Sequence, residues 1–153
     1  MAYLVEVIDA VAHPTAVAKG RAELGKVPEH FMPLLDKVWA VVRTLGAGPI
    51  GHNIAVYRFR DGALDLEIGV QVAASFTPTA GVEPSTTPAG KCLRTLHTGP
   101  YSGIRQATDA VIAHAKANNL PTTNLSWEVY GDWTEDETKL ETWIHFQLAE
   151  DAG

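Results

Sequence analysis

The sequence predicts an α+β protein built from a tandem strand–helix–strand–strand repeat with pseudo-twofold symmetry. Three observations carry that prediction. The same order of hydrophobic periodicities runs through the chain twice, the last two strands of each half match in sequence, and an Asp-Gly pair marks a hairpin in the first half. Ala55-Val56-Tyr57 parallels Glu128-Val129-Tyr130 at an offset of 73 residues, and Val70-Gln71-Val72-Ala73 parallels Phe146-Gln147-Leu148-Ala149 at an offset of 76. We expect two helices on one face of an antiparallel sheet, with a ligand groove between the halves. The half-repeats span about residues 1–76 and 90–149, joined by a connector over 77–89, and the 153 residues suit a single domain.

Each element has its own signal. Residues 3–8 predict a first strand, which His13-Pro14 punctuates, and residues 15–22 predict a second. Pro28 suits the first turn of a helix, where its missing N–H does no harm, and Glu29 sits well at the positive helix end. Phe31, Leu34, Leu35, Val38, Val42 and Leu45 then recur at helical spacing, with Trp39 at the margin of the stripe. Pro33 is expected to kink the first turn or to move the helix start later, and Gly46-Ala47-Gly48-Pro49 to end the helix. Ile54–Arg60 and Leu64–Ala73 read as strands around Asp61-Gly62. The connector, rich in Pro, Thr and Gly, reads either as a crossover or as a flexible linker. Lys91–His97 predicts the next strand, Gly99-Pro100-Tyr101 a turn, and Ser102–Asn119 a helix N-capped by Ser102 and stopped by Pro121. Leu125–Tyr130 and Glu141–Leu148 are the last strands, and the acidic segment Gly131–Lys139 reads as a solvated loop.

Composition excludes several functions. A net charge of −6 with scattered Lys and Arg argues against direct nucleic-acid binding. The single cysteine, Cys92, cannot form an intrachain disulfide and reads as a buried small hydrophobe. No apolar run is long enough to cross a membrane, and Met1–Glu6 lacks the basic region of a signal peptide, so a cytoplasmic protein is expected. The six histidines never fall at ligand spacing, and one cysteine cannot build a thiolate zinc site; no metal and no cofactor are expected. Gly46–Gly51 echoes a phosphate loop, but it ends a helix rather than beginning one.

Glu128 is the distinctive residue of the repeat. Glu is depleted in strands, and an unpaired charge on a buried sheet face is costly, so water, a basic side chain or a cationic ligand should meet it. Its mate in the first half, Ala55, is neutral, whereas Tyr130 is duplicated as Tyr57. Alternation puts Glu128 and Tyr130 on one side of their strand and Trp127 and Val129 on the other. If the apolar parities face the helices, the free face of the sheet carries Tyr57, Glu67, Glu128, Tyr130, Trp143 and His145. An aromatic wall with carboxylates is what a cleft for a cationic, flat or amphipathic molecule needs. The plainer alternative is that the aromatics pair across strands while the acids face water.

His97-Thr98-Gly99-Pro100-Tyr101, followed by a helix and then Glu128-Val129-Tyr130, resembles the GyrI-like effector-binding family, as do Asp65–Val70 and Gln71-Val72 in the first half. The likeness covers nearly the whole chain. It implies a bowl of antiparallel sheet with two helices on one side and a module that binds lipophilic cationic drug-like compounds, with the strand glutamate, here Glu128, in the pocket. Tyr130 and Tyr101 map onto family positions. Some stand-alone relatives hydrolyse cyclopropane-bearing genotoxins, and others inhibit a topoisomerase. Trp143 stands where the family often has an acid.

Three readings follow. The favoured one is a stand-alone binding module in which Glu128 is the counter-charge and Tyr57, Tyr130, Trp143, Trp39 and Tyr101 form the wall, with Glu67 and His145 adding polarity. The second is a cofactor-free hydrolase in which Glu128 and Glu67 divide acid and base roles. The third is an interaction module that docks a protein partner such as a topoisomerase. His97, ahead of the Gly-Pro turn, reads as a structural hydrogen-bonding residue.

Overall fold

A computed structural model describes residues 3–45 and 49–149. In chain order the elements are β1 (Glu6–Ala10), β2 (Pro14–Glu23), α1 (Val27–Val42), β3 (Pro49–Arg60), β4 (Ala63–Val72), β5 (Glu83–Thr86), β6 (Gly90–Thr98), α2 (Ile104–Ala117), β7 (Thr122–Tyr130) and β8 (Glu141–Leu148). The fold is α+β, with two helices and eight strands paired antiparallel. The expected helix stop at Gly46-Ala47-Gly48 lies outside the described residues.

The chain divides into two compact units, one of Val11–Pro88 and one of Met1–Ala10 with Ala89–Gly153. The first holds four strands in the order β3-β4-β2-β5 with α1; the second holds β1-β6-β8-β7 with α2. Strand–helix–strand–strand therefore occurs twice, as β2-α1-β3-β4 and β6-α2-β7-β8. The hairpin registers reproduce the sequence offsets. Ala55 pairs with Ile68 and Glu128 with Ile144; Tyr57 pairs with Leu66 and Tyr130 with Thr142. In both comparisons the first partners lie 73 residues apart and the second 76.

The extra strands depart from the expected halves. β1 pairs with β6 rather than with β2, and the connector supplies β5, which pairs with β2. Tyr3 and Val5 join the core under α2, Glu6 forms an ion pair with Arg94 (3.2 Å), and Thr95 Oγ1 donates to the Leu4 carbonyl (2.8 Å), so the N-terminal segment is fixed to the second unit. A short strand thereby covers the outer edge of each unit's first strand, which otherwise exposes unpaired backbone groups.

Small residues lie at both helix–sheet contacts, on the sheet under α1 and on the helix in α2. Val38, Val41 and Val42 of α1 meet Ala16 and Ala18 of β2 and Val70 and Val72 of β4, with Val82 completing the cluster. Ala107, Val111 and Ala115 of α2 meet Leu93 of β6 and Ile144 and Leu148 of β8. α1 runs through Pro33 without a later start. The Glu29 carbonyl loses its intrahelical donor there, but both residues are solvent-exposed at the helix N-terminus. α2 starts later than expected, because Tyr101–Gly103 forms a 3-10 turn; Ser102 lies inside it and caps nothing. Asp61 and Gly62 take positive φ (51° and 79°), the backbone of the predicted two-residue hairpin turn. Among the described residues no helix is long and apolar enough to cross a membrane. Cys92 is fully buried, and burial pushes its thiol up to about 11.

Gly69 sits where β4 runs against β2. A Cβ there would lie 1.8 Å from the Ala16 carbonyl oxygen and 2.9 Å from Val17 Cα, both backbone atoms in a ladder that cannot yield locally. Gly69→Ala is expected to destabilise the protein by about 1–3 kcal/mol or more. The urea midpoint should fall accordingly, whereas an unchanged midpoint would show that β2 and β4 are not packed this closely.

Candidate functional site

The hairpin registers decide which side chains share a surface. Ile144 and Leu148 lie under α2, and Glu128 is the cross-strand partner of Ile144. Glu128 and Tyr130, two residues apart on β7, therefore project on the helix side of their sheet. Val70 and Val72 lie under α1, so Leu66 and its partner Tyr57 are on the helix side of the first unit.

This corrects the expected face. Glu128, Tyr130 and Tyr57 lie on the helix-bearing sides of their units, whereas Glu67, Trp143 and His145 lie on the helix-free sides. The parity of β4 and β8 matches the expectation; that of β3 and β7 is reversed. Apolarity could not choose for β3 or β7, because both are covered on both sides. Ile54 and Val56 are buried on one side of β3 and Ala55 on the other, and Trp127 and Tyr130 are buried on opposite sides of β7.

On the helix side of the second unit the Tyr130 hydroxyl donates to Glu128 Oε1. A phenol is a neutral donor, and here it orients the carboxylate. Glu128 is half-buried and Tyr130 is buried to 9% exposure. Tyr101, at the start of the 3-10 turn before α2, stands edge-on to Tyr130 with centroids 5.9 Å apart and planes at 85°. His97 fixes that turn. The Pro100 carbonyl can only accept, so His97 Nε2 carries the proton and donates to it (2.8 Å), leaving Nδ1 to accept from the Tyr3 hydroxyl (2.9 Å). The structural role read for His97 is the one it has. A carboxylate held by one tyrosine, itself packed edge-on against a second, can attract a cation through charge and through the ring faces.

The helix-free side of the second unit is differently satisfied. Trp127 and His145 stack at 4.8 Å with planes 4° apart, and the Arg94 guanidinium covers Trp143 at 4.4 Å. Arg94 was missed in the sequence; it is the cross-strand partner of His145 and so shares the side of Trp143. His145 Nδ1 approaches the Trp127 carbonyl (3.3 Å), so that nitrogen carries the proton of a neutral ring. Burial, reinforced by nearby Arg94, lowers the His145 pKa to about 4 despite the opposing bond to the carbonyl.

In the first unit Trp39 Nε1 donates to Asn53 Oδ1 (2.9 Å), which holds the indole over β3. Glu67 accepts from Ser85 Oγ (2.6 Å) and borders a depression of about 280 Å³ with Lys19, Arg58, Arg60 and Asp65. Its charges are largely spoken for: Asp65 binds Arg60 (2.7 Å) and Arg21 (2.6 Å), which hold its carboxyl down at about 2, and Lys19 faces Glu83 (3.7 Å). Among the described residues no three His, Cys, Asp or Glu side chains are grouped to hold a metal.

Residues 55–147 match the model of the GyrI-like small molecule binding domain. The chain belongs to this family. A search of curated proteins finds no match. Among solved structures the GyrI-like chain is similar to the EcmrR C-terminal domain, with a TM-score of 0.78 at 17% identity over 97% of this chain and 99% of that one. It is also similar to SAV2435 bound to tetraphenylphosphonium (TM-score 0.70, 15% identity, 98% and 95% covered) and to a hydrolase from Listeria innocua (0.61, 12%, 95% and 91%). At these identities the structures share the fold.

The neutral His145 predicts a pH effect. The unfolded chain takes up a proton near the ordinary value of 6.5, whereas the folded chain does so only near 4, so stability falls as pH drops through that window. The loss should reach about 3 kcal/mol by pH 4. His145→Phe, which keeps the stack on Trp127, should flatten this part of the profile in denaturant melts run from pH 7 to 4. An unchanged profile in the variant would refute the assignment.

Proposed function

We propose that this GyrI-like domain binds lipophilic organic cations, with Glu128 as counter-charge and Tyr130 and Tyr101 as aromatic wall. The observation that carries the reading is the Tyr130–Glu128 hydrogen bond on the helix side of β7, with Tyr101 set edge-on against it. A half-buried carboxylate among rings recognises a cation by charge and quadrupole together, and recognition needs nothing further from these residues. SAV2435, similar throughout its fold, is a protein seen with such a cation. Trp143 is left out of the wall because Arg94 of this chain already occupies its face. The shared acid–base roles once open to Glu67 are not adopted: it lies on the helix-free side of its unit and is engaged by Ser85. A net charge of −6 with scattered Lys and Arg gives this domain no support for direct nucleic-acid binding.

Isothermal titration calorimetry with tetraphenylphosphonium tests the reading. Glu128→Gln should weaken binding at least about tenfold, and Tyr130→Phe should weaken it by a smaller factor. Circular dichroism should be unchanged in both. Equal affinity in wild type and Glu128→Gln would rule out Glu128 as the counter-charge.

A further inference from the structure

A second aromatic and acidic cavity lies at the start of α2. It has a volume of about 390 Å³ and is walled by Pro100, Tyr101, Trp133, Glu135, Glu137 and Leu140. That size falls within the range of small-molecule sites. Leu140 is buried at its base, while Trp133 is 72% exposed and Tyr101 44% exposed. A Trp left so open sacrifices most of the apolar burial that the side chain offers, and nothing in the fold requires it there.

The segment carrying Trp133 is held in shape. Its ends are tied by Gly131 N–H to the Glu141 carbonyl (2.8 Å) and by Gly99 N–H to the Leu140 carbonyl (2.8 Å). Between them Asp136 caps a 3-10 turn over Glu137–Lys139, accepting from the Thr138 N–H (3.1 Å) and hydroxyl (2.6 Å), and it faces Lys139 at 4.0 Å. Lys139 is therefore directed to Asp136. Glu135 and Glu137, the carboxylates that line the cavity, have no ion pair among the described residues. Two aromatic faces with two carboxylates form the elements of a cage for a substituted ammonium group, whose charge the acids balance while the rings contact its methyl groups.

We propose that this cavity is a second binding site, for small quaternary or alkyl ammonium compounds, whose carboxylates are Glu135 and Glu137 and not Glu128. Tyr101 contributes to both: it meets Tyr130 edge-on and also lines the cavity.

The test uses the full chain labelled with 5-fluorotryptophan, whose four indoles give four fluorine resonances. Trp133→Phe identifies the Trp133 signal, and its exposure makes the substitution harmless to folding. Titration with benzyltrimethylammonium should shift that signal along a saturating curve, and benzyl alcohol should not. Glu135→Gln with Glu137→Gln should weaken the response about fivefold or more. Glu128→Gln should leave the Trp133 response in place, so failure at the Glu128 site and failure here are read separately. A non-saturating shift, an equal response to benzyl alcohol, indifference to the paired Glu substitutions, or loss of the response in Glu128→Gln would each overturn the proposal.

Discussion

The hydrogen bond from the Tyr130 hydroxyl to Glu128 is the interaction on which the candidate site depends. Residues two apart on one strand share a face, so a tyrosine two positions from a glutamate can donate to its carboxylate. The rest of the second unit is arranged around this pair. Ile144 and Thr142 of β8 lie opposite Glu128 and Tyr130 in the ladder. α2 presents only Ala107, Val111 and Ala115 to the sheet as buried contacts, a narrow footing for the helix. His97 and Tyr3 then fix the turn that brings Tyr101 against Tyr130. The first unit keeps the tyrosine at Tyr57 but has Ala55 at the acid's position. Duplication has preserved the frame of the site and left its charge to one half.

The acids of this protein meet different fates. Asp65 is held by two guanidinium groups at an exposed hairpin, where it stays ionised far below neutrality. Glu67 accepts from a serine hydroxyl, and Asp136 caps a turn. Glu128 is met by a phenol on a half-buried surface. The aromatics divide in the same way. Trp127 stacks on His145 and Trp143 lies beneath Arg94, so both are served by partners in the chain. Tyr101 keeps an exposed face beside the acids.

Much of this architecture was legible in the sequence because its signals were local or repeated. The strand–helix–strand–strand order, the Asp61-Gly62 turn and the two offsets all reappear as observed elements and registers. The facing of β3 and β7 was not legible. Ile54 and Val56 look like core residues and are, but on the side away from α1, and Trp127 is buried on the side away from α2. When both sides of a strand are covered, polarity stops reporting orientation, and only the pairing of Ala55 with Ile68 or Glu128 with Ile144 settles it. The aromatic wall drawn through Trp143 and His145 failed for that reason, whereas Glu128, Tyr130 and Tyr101 came together through the family's motif order. Trp133 was overlooked because its neighbours are hydrophilic, although a lone indole among acids was itself a signal. The exchange of β1 was hidden because strand partners several dozen residues apart leave no local trace.

The direct measurement is the separation between the bound cation and the carboxylate. Dipolar recoupling between the phosphorus of tetraphenylphosphonium and a carbon-13 label on the glutamate carboxyls, assigned through Glu128→Gln, reads that separation in the intact protein. We expect the Glu128 carboxyl within about 6 Å of the cation, the range over which opposite charges couple strongly. Coupling to Glu67 with none to Glu128, or to no glutamate at all, would contradict the account.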